Sequence, residues 1–325
     1  VNPTSPASLV PASLLVLALA GASLFVGVSS VSLQGLIDGG SAGKAAQVLL
    51  ISRLPRTLAL ILAGMGMAVA GMIMQMLARN RFVEPSTVGT VESATFGTLL
   101  VTFFAPNAPV AVKMLVAAGC ALAGTALFLR ILRAIPLRSV LMVPLVGIML
   151  GGVIGATTAF FAYRFDLLQS IGAWTTGDFS IVLRGRYELL WGAAALTLLA
   201  YIAADRFTVA GMGQEFTTNL GLNHRRVVTL GLVIVATVTA AVVVTVGVVP
   251  FLGLIVPNVV SMLMGDNMRR SLPWVALLGA GFVLACDILG RLIIHPYEIP
   301  IGTVMGVIGA IFFLYLLLRR NARVA

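Results

Sequence analysis

From Thr57 to Ala78 the chain runs for about twenty residues without a charge, bounded by Arg53 and Arg56 at one end and by Arg79 and Arg81 at the other. At a helical rise of ~1.5 Å per residue, such a run is long enough to cross a hydrocarbon core of ~30 Å. The segment therefore predicts a membrane-spanning helix with a basic cluster at each end. Gly64, Gly66, Ala68, Ala70 and Gly71 place small side chains at three- and four-residue spacings, where neighbouring helix backbones approach closely. This helix should accordingly be enclosed by protein. Met65, Met67, Met72, Met74 and Met76 point all round it with no Cys or His among them. That distribution reads as flexible packing rather than as a thioether site for a soft metal.

A mean hydropathy of +1.07, with 59% hydrophobic and 10% charged residues, excludes an ordinary soluble domain, which carries ~25% charged residues. The formal net charge of +10 does not point to nucleic acid, because the basic residues stand one to three at a time between apolar runs and form no stripe. Cys120 and Cys286 each lie inside an apolar run and read as buried thiols, not as a disulfide framework. The N-terminal apolar run has no Lys or Arg before it and exceeds the ~7–15 residues of a signal-peptide core, so it is expected to be a retained first span.

Apolar runs set against polar breaks give ten candidate spans, near 9–31, 57–78, 88–105, 109–130, 139–163, 187–204, 227–247, 250–264, 272–290 and 300–318. Several are short or broken by Gly or Pro, which is tolerated where protein rather than lipid surrounds the freed backbone groups. With the N-terminus inside, thirteen of the 21 basic residues fall on inner segments, so the positive-inside rule favours both termini inside.

Arg53, Arg56 and Arg291 are the informative exceptions, because they sit at outer helix ends where topology gives no reason for positive charge. They are candidates for docking a carboxylate-bearing partner outside. Arg291 also has Asp287 one helical turn earlier, which offers it a local partner. The longest polar inner segment is about 205–227, interrupted by Gly211 and Gly213. Gln214 to Leu222 is expected to form a short helix with Phe216, Leu220 and Leu222 on one side, stopped by Gly221 and Asn223. An exposed short helix with an apolar stripe suits docking into a groove on a cytoplasmic protein. Glu215 and the scarcity of Lys argue against a helix lying in the membrane interface. On the outer side, Phe165 to Arg186 reads as a short surface helix and turn, and Gly302, Gly306 and Gly309 give the last span a small-residue face.

The chemistry of an enzyme is missing. The nearest approach to a phosphate-binding loop, Gly39 to Ala46, has Asp38 where the first glycine belongs and Ala45 where Ser or Thr should follow the Lys. His224 and His295 fall on opposite sides of the membrane and cannot share a metal, and no nucleophile elbow, zinc motif or carboxylate dyad occurs. Glu92 and Asp287 are the only acids expected within or at the edge of spans, and an intramembrane carboxylate is a functional candidate. Glu92, in the first turns of its span, equally suits a structural place at the positive end of the helix dipole.

Arg53-Leu54-Pro55-Arg56, a Gly-rich span ending at Gln75, then Arg79-Asn80, Glu84-Pro85 and Gly89 resemble the first signature of the permease subunits of binding-protein-dependent ABC importers for iron-siderophores and vitamin B12, the FecCD/BtuC-like family. Phe251 to Pro257, Leu272-Pro273, Asp287, Arg291, Glu298, Pro300 and Gly302 match its second. The resemblance runs from about residue 50 to the C-terminus. It implies one transmembrane permease domain over residues 1–325, all-α with about ten transmembrane helices in the type II ABC importer permease fold, N-in and C-in, in the cytoplasmic (inner) membrane of a bacterium.

The implied partners are a second permease subunit, two cytoplasmic ATPase subunits, a periplasmic or lipid-anchored substrate-binding protein and membrane lipid. No cofactor is expected on this chain, since ATP and Mg²⁺ belong to the ATPases. By the same resemblance Arg53, Arg56 and Arg291 receive glutamates of the binding protein. Gly211, Gln214, Glu215, Phe216, Leu220 and Gly221 fall in the ATPase-coupling helices, and Asn80, Phe82 and Glu92 fall at the gate or along the pathway. Arg81-Phe82 replaces the usual Pro-Leu, and Gly89 to Ala94 reads GTVESA where much of the family has GVSSGA. RNRFVEPSTVGT is more similar to the branch serving catecholate-type siderophores such as anguibactin, enterobactin and petrobactin, which usually works as a heterodimer of two permeases. The expected function is thus ferric-siderophore permeation without catalysis by this chain. Its rivals are a cobalamin or haem permease of the same family, an ion-coupled secondary transporter using Glu92 or Asp287, and a polytopic membrane enzyme.

Overall fold

The computed structural model describes residues 9–27, 46–135 and 142–321, and among these the chain is helical with no strand. Thirteen α-helices follow in order: α1 (Leu9–Phe25), α2 (Leu54–Ala78), α3 (Thr90–Phe104), α4 (Val110–Ala134), α5 (Met142–Arg164), α6 (Leu168–Thr175), α7 (Leu189–Ile202), α8 (Ala204–Gly211), α9 (Gln214–Asn219), α10 (His224–Val246), α11 (Leu252–Met264), α12 (Met268–Leu292) and α13 (Ile301–Asn321). A π-helical turn, Leu49–Arg53, leads into α2, and a 3₁₀ turn, Pro85–Thr87, precedes α3. Residues 28–31 of the first predicted span, Gly39 to Ala45, Arg138 and Arg323 lie outside the described residues.

Each predicted apolar run coincides with a helix, but among the described residues only five helical stretches are long and apolar enough to cross a membrane by length and composition, or six if α7 and α8, bent by 66°, form one span. α1, α3, α11 and Ile301–Tyr315 of α13 are shorter apolar helices. The short predicted helix in the 165–186 segment is α6.

α2 is the axis of the fold. It packs against α12, α10, α11 and α7 together, and its small residues set how close those helices come. A Cβ added at Gly71 would stand 2.2 Å from the Cα of Gly253 on α11, and one at Gly64 would stand 2.7 Å from the carbonyl oxygen of Gly279 on α12. Only glycine fits at such backbone-to-backbone crossings. Met67, Met72 and Met74 are buried between these neighbours, filling gaps as flexible side chains do.

α2 stops at Arg79, which adopts the left-handed conformation at φ 48°. The amide of Asn80 donates to the Gln75 carbonyl at 3.0 Å and that of Arg79 to Met76 at 3.2 Å, closing the last turn in a Schellman arrangement. The chain then folds back along α2 instead of leaving the helix stack, and this link, residues 80–89, meets the N-terminal end of α11.

α11 begins in the protein interior, and its groups are satisfied by neighbours. Glu84 Oε1 accepts from the Phe251 amide at 2.9 Å, at the helix end where orphan N–H groups and the dipole favour an anion. Pro257, inside α11, removes the N–H that would have reached the Gly253 carbonyl. Gln75 of α2 supplies the missing donor, its Nε2 lying 3.1 Å from that oxygen. A broken helix is stable in lipid only when such groups are re-satisfied.

Candidate functional site

At the end of the stack where α1 terminates, Arg53, Arg56, Arg291 and Glu298 line a cleft of about 390 Å³ together with Ser52 and Ser180. Arg56 has no acid near it in sequence, yet the fold places it between two. Its Nη2 is 2.7 Å from Asp287 Oδ1 and its Nη1 is 2.7 Å from Glu298 Oε2. Arg291 pairs with Asp287 one turn earlier on α12, the local partner visible in the sequence. Its Nη1 also donates to the carbonyls of Ser23 at 3.0 Å and Val26 at 2.7 Å, and its Nη2 to Ser23 Oγ at 2.6 Å. Arg53 Nη1 donates to the Leu24 carbonyl at 2.7 Å. Two guanidiniums thus serve the unsatisfied carbonyl end of α1, where the helix dipole favours a cation. Asp287, Arg53 and Arg291 are 3%, 6% and 4% exposed, so the three arginines predicted for docking converge on one cleft as a largely buried ionic cluster.

The opposite end carries the predicted coupling segment. Gly213, at φ +117°, separates α8 from α9, and Gly221, at φ +77°, follows α9; both are backbone conformations that side chains disfavour. The helix is one turn shorter than expected, ending at Asn219. Thr217 turns inward, its hydroxyl donating to the Gly213 carbonyl at 2.6 Å. Met212, Phe216 and Leu220 are left 58%, 61% and 62% exposed. The apolar stripe therefore runs through Met212 rather than Leu222, which is half-buried because the turn at Gly221 carries it toward the fold. Gln214 and Glu215 are exposed beside it. Asp205 on α8 pairs with Arg269 at 2.5 Å, and Thr208 Oγ1 accepts from the Met268 amide at 3.2 Å, fixing α8 to the start of α12.

Between α8 and the neighbouring ends of α2 and α11 lies a cavity of about 540 Å³ lined by Met76, Arg79, Asn80, Gly211, Met212 and Asp266. Asn80 therefore shares one space with Gly211 and Met212 at the end of α8. Asn80 Oδ1 accepts from the Phe82 amide at 2.9 Å, and Phe82 packs edge-on against Phe313 of α13 at 5.9 Å between centroids. Both residues are buried, at a junction of the folded-back link with the last helix.

Glu84 is the residue that sequence reading missed. Only Glu92 and Asp287 are expected within or at the edge of spans. Glu84 is instead 1% exposed, because the link folds back between α2 and α11. Its Oε1 accepts from Ser86 Oγ at 2.5 Å as well as from Phe251. An acid fixed by an adjoining proline between two apolar runs was the available signal. Glu92 lies on the first turn of α3, away from both ends described above, in a small cavity with Thr95, Thr158 and Thr175.

A match to the FecCD transport family spans residues 14–319. Two relatives from Bacillus species are similar over nearly their whole length. The petrobactin import system permease protein YclN of Bacillus subtilis is 48% identical over 95% of this chain and 97% of its own. The petrobactin import system permease protein FatD of Bacillus anthracis is 42% identical over 95% of this chain and 90% of its own. Among solved structures, an inward-facing conformation of a metal-chelate type ABC transporter superposes with a TM-score of 0.78 at 26% identity, covering 96% of this chain and 99% of that one. The axial glycine-rich helix, the broken helix beginning inside the protein and the short exposed helix pair thus sit in a chain that belongs to the FecCD transport family, as a non-enzymatic, multi-helical membrane permease component of an ABC transporter.

Proposed function

We propose that this chain is the permease of a bacterial inner-membrane importer for ferric siderophores of the catecholate type. About ten spans, the shorter apolar helices included, cross the membrane with both termini inside. It pairs with a second, non-identical permease, and two ATPases bind the α8–α9 side while a substrate-binding protein docks on the arginine cleft. The names of the two relatives, both petrobactin import permeases, support the cargo class. The observation that carries the partner assignment is the polarity of the stack: three arginines on one cleft at one end, three exposed apolar side chains on a short helix pair at the other.

A carboxylate of the binding protein competes in that cleft with Glu298, which is the less buried of Arg56's two partners, its side chain 26% exposed against 2% for Asp287. Movement of the α8–α9 pair by the ATPases is transmitted through Gly211 and Met212, which share a cavity with Asn80, and from Phe82 to α13. The test is binding of the binding protein to the permease in nanodiscs across a range of salt. Arg53→Gln should weaken docking several-fold at low ionic strength and flatten its salt dependence. Docking that is unchanged in affinity and in salt response would overturn the assignment of this cleft.

A further inference from the structure

The chain between α6 and α7 folds over the end of the stack that carries the arginine cleft. Phe179 and Val182 are buried and anchor it in the core, and the Asp178 amide donates to the Val246 carbonyl at 2.8 Å. The segment meets the cleft at two points. Ser180 lines it, and the Arg184 amide donates at 3.0 Å to the carbonyl of Ile51, which shares the π-helical turn with Arg53. Leu183 to Arg186 then close a tight turn, the Arg186 amide donating to the Leu183 carbonyl at 3.1 Å. Gly185 within it sits at φ +93°, a conformation that favours glycine. Arg184 and Arg186 stand on either side of that glycine, both exposed.

The two sets of arginines differ in what they offer a partner. In the cleft, Arg56 and Arg291 already hold Asp287 and Glu298, and Arg53 serves the Leu24 carbonyl. A carboxylate arriving there has to exchange with groups in place. Neither Arg184 nor Arg186 forms an ion pair among the described residues. Asp178 and Glu188, the acids of this segment, accept instead from the amides of Ser180 at 2.8 Å and Gly185 at 2.7 Å. Exposed charges at a rim act on the encounter of two proteins, whereas charges in a buried cluster act once the partner is seated. We propose that Arg184 and Arg186 are a steering surface for an acidic face of the substrate-binding protein and guide its carboxylates to the cleft beside them. This rests on the reading that the binding protein docks at that cleft.

The experiment measures association and dissociation rates of the cognate binding protein on the assembled transporter in phosphatidylcholine nanodiscs, across a range of NaCl. Arg184→Glu with Arg186→Glu should slow association about tenfold at low ionic strength and flatten its salt dependence, with dissociation nearly unchanged. The neutral pair, Arg184→Gln with Arg186→Gln, should slow it about threefold, since half the charge change gives half the logarithmic effect. Arg53→Gln should act mainly on dissociation. If Arg53→Gln weakens docking while the charge-reversed pair leaves association and its salt response untouched, the steering role is overturned and the cleft assignment stands. If Arg53→Gln also changes nothing, both fall together. Equal losses in the Glu and Gln pairs would mark shape rather than charge and overturn the proposal. A loss seen only in discs containing phosphatidylglycerol would assign the two arginines to lipid headgroups and likewise overturn it.

Discussion

Asp287→Asn tests the ionic cluster that closes one end of the stack. Asp287 accepts from Arg56 Nη2 at 2.7 Å and Nε at 3.3 Å and pairs with Arg291, and its side chain is 2% exposed. The amide keeps the shape, removes the charge and turns one acceptor into a donor facing arginines that only donate. Arg56 retains Glu298, whereas Arg291 is left with uncharged partners at 4% exposure. Breaking one side of a buried pair costs about 3–5 kcal/mol, and the surviving Glu298 contact places the expected loss near the lower end. Equilibrium unfolding in mixed micelles reads this directly. Combining the change with Arg291→Met removes the stranded charge, so the double variant should be less destabilised than the sum of the two singles. A loss for Asp287→Asn below about 1 kcal/mol, the range of exposed pairs, with additive singles, would refute the buried-cluster reasoning.

Three further outcomes follow from the interior and the exposed helix pair. Gln75→Leu strands the Gly253 carbonyl beside Pro257, and unfolding should become easier by about 1–3 kcal/mol, the cost of an unsatisfied buried acceptor. Gly71→Ala inserts a Cβ 2.2 Å from the Gly253 backbone and should cost at least about 1–3 kcal/mol of overpacking, measured in the same unfolding assay, whereas Gly152→Ala on α5, with no neighbour within 4 Å of a Cβ there, should be near neutral. Phe216→Glu charges a side chain that is 61% exposed; it should leave unfolding almost unchanged and lower co-purification of the ATPase subunits.

What the sequence disclosed was governed by distance along the chain. Apolar runs, the glycine-rich face of α2 and the break at Gly213 are local properties, and the helices, the exposed α9 among them, follow from them. Arg291 with Asp287 is also local, one turn on one helix. Arg56 with Asp287 and Gln75 with Gly253 span 231 and 178 residues, so no periodicity in either segment reveals that they meet. The burial of Glu84 is hidden for a related reason: the residues around it are polar by composition, and only the backward fold of the link against α11 buries it. The stripe shifted from Leu222 to Met212 because one left-handed glycine, Gly221, ends the helical register before Leu222.

The central claim is that this chain is a conduit whose energy and cargo arrive on other proteins. Uptake of a ferric catecholate siderophore into proteoliposomes tests it most directly, comparing the chain alone under a proton or sodium gradient with the assembled transporter, its binding protein and internal or external ATP. The account predicts accumulation only in the complete system and only with ATP on the ATPase side. Uphill accumulation by the chain alone, driven by an ion gradient, would contradict it.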